Sequence, residues 1–206
     1  MIATGSTVTV PASAPAFITL SNLKVLLGIE GTDTDARLTA LIGQASAMIE
    51  AWCGYRFGVE TIEDRFVVTK RDDSLGPLIL RKAPVIDGSV TVSEDGVELD
   101  PSAIEIEYGT GMIWPVDDQY RSAWSGNRIT VTYDAGYSII PTVVSTACAY
   151  AVGTMVHSMQ RDGTIKVAWI EGVMREEYFD TSSKVDASGL PMNARSLLRP
   201  YKRVVI

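Results

Sequence analysis

Histidine and cysteine are almost missing from this sequence. Its 206 residues include one histidine, His157, and two cysteines, Cys53 and Cys148. Histidine is the commonest general base, and a serine or cysteine nucleophile needs such a base beside it. No Gly-x-Ser-x-Gly elbow, phosphate-binding loop, dinucleotide fingerprint or His-Glu-x-x-His pair occurs. One histidine and two distant cysteines do not supply a zinc ligand set, nor do two cysteines on separate predicted helices form a disulfide framework. We read them as buried thiols of a reducing compartment and His157 as a structural or surface residue. No catalytic residue, cofactor or metal site is predicted.

Positive charge is also scarce. Eighteen Lys and Arg face 25 Asp and Glu, giving a net charge of −7, which argues against a general nucleic-acid-binding surface. A basic segment followed by an apolar one is lacking at the start, so no secretory signal is expected. The uncharged run 135–160 is broken by Pro141, Ser145, Thr146, Gly153, Thr154 and Ser158. It predicts a buried helix rather than a membrane span. The carboxylate pairs Asp72–Asp73, Asp117–Asp118 and Glu176–Glu177 are adjacent in sequence and fall in predicted loops or strands. Neighbours on a strand point to opposite faces, so these read as solvated surface, and nothing supports a cation at Asp117 and Asp118.

What is present is a long amphipathic helix from Asp33 to Gly54. Leu38, Leu41, Ile42, Ala45, Met48, Ile49 and Trp52 recur at helical spacing on one face. Thr32 or Asp33 can cap its start and Gly54 its end. At 1.5 Å per residue it is roughly 28 Å long and needs a partner surface. Pro141 to Gln160 is the other long helical segment, with an apolar stripe from Val144 to Met159 and a back of small residues. A short helix from Leu20 to Leu27, capped by Thr19 and ended by Gly28, is expected to lie on the first as a helical hairpin.

Between residues 58 and 138 the period becomes alternating. Candidate strands lie at 66–68, 78–80, 89–93, 97–99, 103–107 and 111–114, with Arg128 to Tyr133 the clearest; Glu94-Asp95-Gly96 marks a tight turn. The expected fold class is α+β: a helical core, made of the helical hairpin plus a third long helix, with an inserted antiparallel β unit and extended terminal arms. The expected segments are an N-terminal arm at 1–16, the helical hairpin at 17–57, the β unit at 58–138, the third core helix at 139–163, and a β segment, short helix and basic arm at 164–206. Thr7 to Val10 alternates and can add a strand to a neighbour.

Two stretches look like docking surfaces. Pro115 to Gly126 holds Tyr120, Arg121 and Trp124, residue types enriched at protein interfaces, although Trp124 can equally fold back on the β unit. From Arg195 to Ile206 there are four basic residues and no acidic ones, opposite in sign to the body. Four charges are few for strong DNA binding; the interleaved Leu197, Leu198, Tyr201, Val204, Val205 and Ile206 favour a protein groove or strand addition.

The order of these segments is distinctive. Thr19-Leu-Ser-Asn-Leu-Lys24 opens a short helix, an Asp-rich turn follows, and Leu38-x-x-Leu-Ile-x-x-Ala-Ser-Ala-x-Ile-Glu-Ala-Trp-Cys-Gly54 comes next. Ile129-Thr-Val-Thr-Tyr-Asp-Ala-Gly-Tyr137 then precedes Pro141, and Ala194-Arg-Ser-Leu-Leu-Arg-Pro-Tyr-Lys-Arg203 closes the chain. Taken together they resemble the head–tail connector (adaptor) family of tailed bacteriophages and phage-derived gene transfer agents. Each segment alone is unspecific, since none carries chemistry; their order across nearly the whole chain carries the resemblance.

The resemblance implies a structural protein of the virion neck, assembled in the host cytoplasm as a homo-oligomeric, commonly dodecameric, ring beneath the portal protein. Such a ring extends the channel through which genomic DNA passes without sequence-specific binding, touches no membrane, and offers a platform to head-closure or tail proteins. Arg195, Leu198, Arg199, Tyr201, Lys202 and Arg203 are then the expected contacts to portal or neighbouring subunits. Tyr120, Arg121 and Trp124 are the expected tail-side or subunit contacts. The competing readings are a head-closure or tail-terminator protein, a small hydrolase built around His157, and a DNA-binding regulator whose affinity falls steeply with salt.

Overall fold

A computed structural model describes residues 1, 3–12, 16–54, 56–68, 76–160, 167–170, 174–177 and 189–202, with the backbone alone at 167–170 and 174–177. The chain divides into two compact units. The first comprises residues Met1–Ala14 and Arg56–Ile139, the second Pro15–Tyr55 and Ile140–Ile206.

The described residues of the first unit form strands and one 3₁₀ turn, Pro101–Ala103. Its strands are β1 (Gly5–Val10), β2 (Glu60–Val67), β3 (Leu78–Ile79), β4 (Thr91–Glu94), β5 (Val97–Glu98), β6 (Ile104–Glu107), β7 (Met112–Asp117), β8 (Tyr120–Arg121) and β9 (Arg128–Ala135). One antiparallel sheet runs β1-β2-β9-β4-β5; in the other, β7 lies between β3 and β6 and also pairs β8. The central pairing sets Ile62 opposite Tyr133, Asp64 opposite Val131 and Phe66 opposite Ile129. Period-two alternation aims this set inward. Ile62, Phe66, Ile129, Val131 and Tyr133 join Leu78, Val92, Ile113 and Trp124 in one buried cluster. At the end of β9, Gly136 has φ +131°, and a Cβ there would lie 2.4 Å from the Gly58 carbonyl oxygen, so the close passage admits no side chain.

The second unit holds α1 (Leu20–Leu27), α2 (Asp35–Cys53), α3 (Thr142–Gln160), β10 (Val167–Ile170), β11 (Met174–Glu177) and α4 (Met192–Leu198), followed by a 3₁₀ turn at Arg199–Tyr201. The Thr19 hydroxyl accepts from the Asn22 N–H at 3.3 Å to cap α1, and Gly28 and Gly54 end α1 and α2 in the left-handed conformation. The cap of α2 differs from expectation. Thr34 occupies it and makes no side-chain cap bond. Asp35 sits in the first turn and pairs with Lys24 at 2.7 Å. Helices α2 and α3 run antiparallel, with Ser46 beside Cys148 and Arg37 beside Met159. Leu38, Leu41, Ile42, Ala45, Ile49, Val144, Ala147, Ala151 and Val152 fill the space between the helices.

This architecture overturns the expected fold class. The chain is sheet-rich, with two antiparallel sheets that enclose a core of their own, and the described residues hold four α-helices. It is not a helical core of hairpin plus long helix carrying an inserted β unit. Three physical reasons account for the difference. Helix α1 fully buries Leu23 alone and leaves Leu26 62% exposed, so it does not close a hairpin core. Residues 5–10 pair with β2 from Gly5↔Arg65 to Val10↔Thr61, which makes the start of the chain an edge strand instead of an extended arm. Met1 is tied down too, its amino group donating to the Pro77 carbonyl and its own carbonyl accepting from the Ile79 N–H at 2.7 Å. Strand β2 begins at Glu60, six residues before the expected start, because Asp64 occupies an inward position and breaks the apolar alternation in the sequence.

Candidate functional site

The basic C-terminal stretch begins on α4. Leu190, Ala194 and Leu198 are buried and fix that helix in the second unit. Leu198 is therefore a packing residue, not a surface contact. Arg195 and Tyr201 are half-buried, while Arg199 and Lys202 are exposed. The Lys202 ammonium lies 5.0 Å from the ring centroid of Trp52, within the range of a cation–π contact. Trp52 itself is half-buried at the end of α2. Arg203 lies outside the described residues. The structure thus brings Arg199 and Lys202 to one exposed basic end.

The 115–126 stretch is a hairpin rather than a loose insertion. Strands β7 and β8 are joined by Asp118 (φ 45°) and Gln119 (φ 74°), both left-handed, as two-residue hairpin loops favour. Tyr120 is 78% exposed. Arg121 is exposed but is engaged by partners of its own unit. Its guanidinium grips Glu105 bidentately, at 2.8 and 2.6 Å, and stacks 3.7 Å from the Trp114 ring centroid. Hydrogen bonding to Arg121 holds the Glu105 carboxyl below the usual range. Trp124 belongs to the sheet core, and its indole Nε1 finds no hydrogen-bond partner among the described residues.

Two carboxylates from the β4–β5 turn lock the chain after Trp124. Glu94 accepts from the Ser125 N–H at 2.8 Å, the Ser125 hydroxyl at 2.9 Å and the Gly126 N–H. Asp95 accepts from the Asn127 and Arg128 N–H groups at 3.0 and 2.9 Å, and those bonds lower its carboxyl's affinity for a proton. The Glu94-Asp95-Gly96 signal was legible in the sequence as a turn; its second use as a clamp was not, because the partners lie some thirty residues away.

Sequence reasoning also missed a buried polar group in the first unit. The Tyr133 hydroxyl donates to Asp64 Oδ2 at 2.8 Å, and the Arg81 N–H donates to the same oxygen at 2.8 Å. The Lys82 ammonium bonds the Gly58 carbonyl at 2.9 Å and Glu60 at 3.0 Å. Nothing in the sequence marked Asp64 beyond its place inside an otherwise alternating stretch.

His157 stands exposed near the end of α3. Burial, then Glu50, pushes the Cys53 thiol up to about 12, and burial pushes Cys148 up to about 11, so both thiols stay protonated. Among the described residues no cluster of three or more His, Cys, Asp or Glu could hold a metal, and no helix is long and apolar enough to cross a membrane. Asp72 and Asp73 lie outside the described residues.

The sequence profile of the head completion proteins matches residues 16–157. The chain belongs to that family. The match takes in the first three segments of the connector resemblance, from Thr19 through Pro141, and stops before the closing one at 194–203. No curated protein matches the sequence. Solved structures share the fold over nearly the full length of both chains. A chain from the neck of an empty gene transfer agent particle, computed with C6 symmetry, has 15% identity and a TM-score of 0.50, covering 97% of each chain. One from the virion of a native particle has 13% identity and a TM-score of 0.52, covering 98% of this chain and 96% of that one. One from the neck of a native particle, computed with C12 symmetry, has 13% identity and a TM-score of 0.50, covering 97% of each. The resemblance read from the order of segments thus leads to the family that the profile identifies.

Proposed function

We propose that this protein is a structural component of the virion neck, a head–tail connector that forms a ring beneath the portal. The ring extends the DNA channel and offers a platform to head-closure or tail proteins; it performs no catalysis. The observation that carries this reading is membership of the head completion family over residues 16–157. The fold shared with gene transfer agent necks computed with C6 and C12 symmetry supports a ring. The acidic balance of the chain suits a conduit, since DNA slides past a surface that does not neutralise its phosphates.

Within this reading Arg199 and Lys202 dock on the portal, with Arg195, Tyr201 and Arg203 alongside. Truncation at Leu197 is a poor test, because Leu198 belongs to the core. The charge-reversed variant Arg199→Glu/Lys202→Glu keeps that anchor. It is expected to fold normally and to join portal-containing heads at least tenfold less than the unmodified chain. Equal attachment sinks the docking assignment. Failure of the unmodified chain to bind such heads at all sinks the connector reading. The family's name also accommodates a head-closure protein, which would bind heads only after another neck protein is in place.

A further inference from the structure

The larger sheet of the first unit has two edges, and they differ. Strand β5 forms one; it has only two residues, and Glu98 is charged. Short length and charge are the usual ways in which an edge is protected from further pairing. Strand β1 forms the other, with six residues, Gly-Ser-Thr-Val-Thr-Val, and neither a charge nor a proline among them. It pairs with β2 in even register from Gly5↔Arg65 to Val8↔Ile62, and its one irregularity falls between Val8 and Val10. No strand pairs with its far side among the described residues. A strand paired on one side directs a row of N–H and C=O groups outward, a template for one more strand.

The side chains of β1 are left uncovered as well. Val8 stands opposite Ile62, which belongs to the buried cluster, so Val8 lies on the core side of the sheet. Val8 and Val10 are nevertheless 48% and 57% exposed. The core stops at β1, and a strand added beside it would take these valines out of water.

Backbone pairing calls for an extended segment, not a helix or a nucleic acid. To cover Val8 and Val10 that segment needs apolar side chains at alternate positions. Strand β1 offers no charge, whereas the unit around it has 8 basic and 15 acidic residues. Complementarity therefore favours a segment that is uncharged where it pairs and basic on either side. A second copy of this chain does not meet these terms. Two β1 strands paired with each other make a two-fold contact that closes after two copies. A β1 strand paired with β5 sets six residues against two. Either contact brings two acidic units together. We propose that the outer edge of β1 is a docking site for an extended, basic-flanked segment of a different protein, which joins the larger sheet beside β1. Within the neck reading, that segment belongs to another protein of the particle.

Hydrogen exchange reads this edge directly. In the free full-length chain the outward amides of residues 5–10 should exchange as open backbone, and in necks isolated from particles they should slow by roughly tenfold or more. A photo-crosslinker on Val8→Cys should, in the same necks, give adducts on one stretch of a different protein, with Lys or Arg beside it. The two native thiols are buried, which keeps the label at one position. A synthetic peptide of that stretch should bind the free chain, and Val8→Lys/Val10→Lys should weaken that binding roughly tenfold, since lysine on an edge blocks strand addition. Both valines are exposed, so the variant's melting curve should not fall. Amides equally fast in both states, adducts on peptides of this same chain, or a lysine variant that binds the peptide as well as the unmodified chain overturn the edge assignment and leave the neck reading standing. Absence of this chain from the necks overturns the neck reading itself.

Discussion

Asp64 is fully buried, and its Oδ1 has no partner among the described residues. Its other oxygen depends on two donors, one of them the Tyr133 hydroxyl. Burial and the Asp64 carboxyl push the Tyr133 phenol well above its ordinary value, so the hydroxyl keeps its proton and remains a donor. Removing one partner of a buried polar pair costs more than the pair contributes, because the remaining group stays desolvated. Tyr133→Phe should therefore lower stability by about 1–3 kcal/mol, read from the urea midpoint. An unchanged midpoint would mean that the carboxyl finds another donor. The cysteines give a pH dependence of definite sign. Their folded-state values, about 12 for Cys53 and about 11 for Cys148, lie above the unfolded value near 9. Above pH 9 the unfolded chain releases these protons and the folded chain keeps them, so stability falls as pH rises toward 11. Cys53→Ala/Cys148→Ala should flatten that decline in a thermal-unfolding series, and a slope identical to that of the unmodified chain would exclude the thiols as its source.

At the scale of elements, the β7–β8 turn puts Asp118 and Gln119 in a conformation that costs an ordinary side chain about 1 kcal/mol. Gln119→Gly should relieve that cost and raise the melting temperature by a few degrees; a lower melting temperature would show that the glutamine side chain stabilises the turn. Elements of this kind also mark where the sequence was readable. The long helices were legible because a nineteen-residue element repeats its period several times: α2 was expected at 33–54 and lies at Asp35–Cys53. The last strand was legible for the same reason, since Arg128 to Tyr133 alternates without interruption. Strands β3, β5 and β8 have two residues each, too few to establish a period. The balance between helix and sheet was misjudged because α1 looks amphipathic in sequence, yet turns Val25 and Leu26 outward. Periodicity reports that an apolar face exists; it does not report whether the same chain covers it. The docking residues divide likewise. Basic character at Arg199 and Lys202 is visible in the letters, whereas the burial of Leu198 and the grip of Arg121 on Glu105 exist only after folding.

For the molecule as a whole, the first unit, with 8 basic and 15 acidic residues against 10 of each in the second, sets how salt acts. Self-repulsion among acidic units is screened as ionic strength rises, the Debye length falling from about 30 Å at 0.01 M to about 8 Å at 0.15 M. Self-association in the proposed ring should therefore tighten with salt over that range. A protein held to a partner by its basic residues shows the reverse slope, so sedimentation at two ionic strengths separates the two modes. The position of β9 has a consequence for how the chain is made. It lies between β2 and β4 in the larger sheet, yet 60 residues separate the end of β2 from its first residue. With synthesis at roughly 5–20 residues per second, the nascent β1–β2 ribbon waits roughly 3–14 s for its central partner to be completed. Throughout that interval Ile62 and Phe66 lack the strand that covers them in the finished unit. Birth on the ribosome is the moment at which this chain is most open to sticking to its own kind.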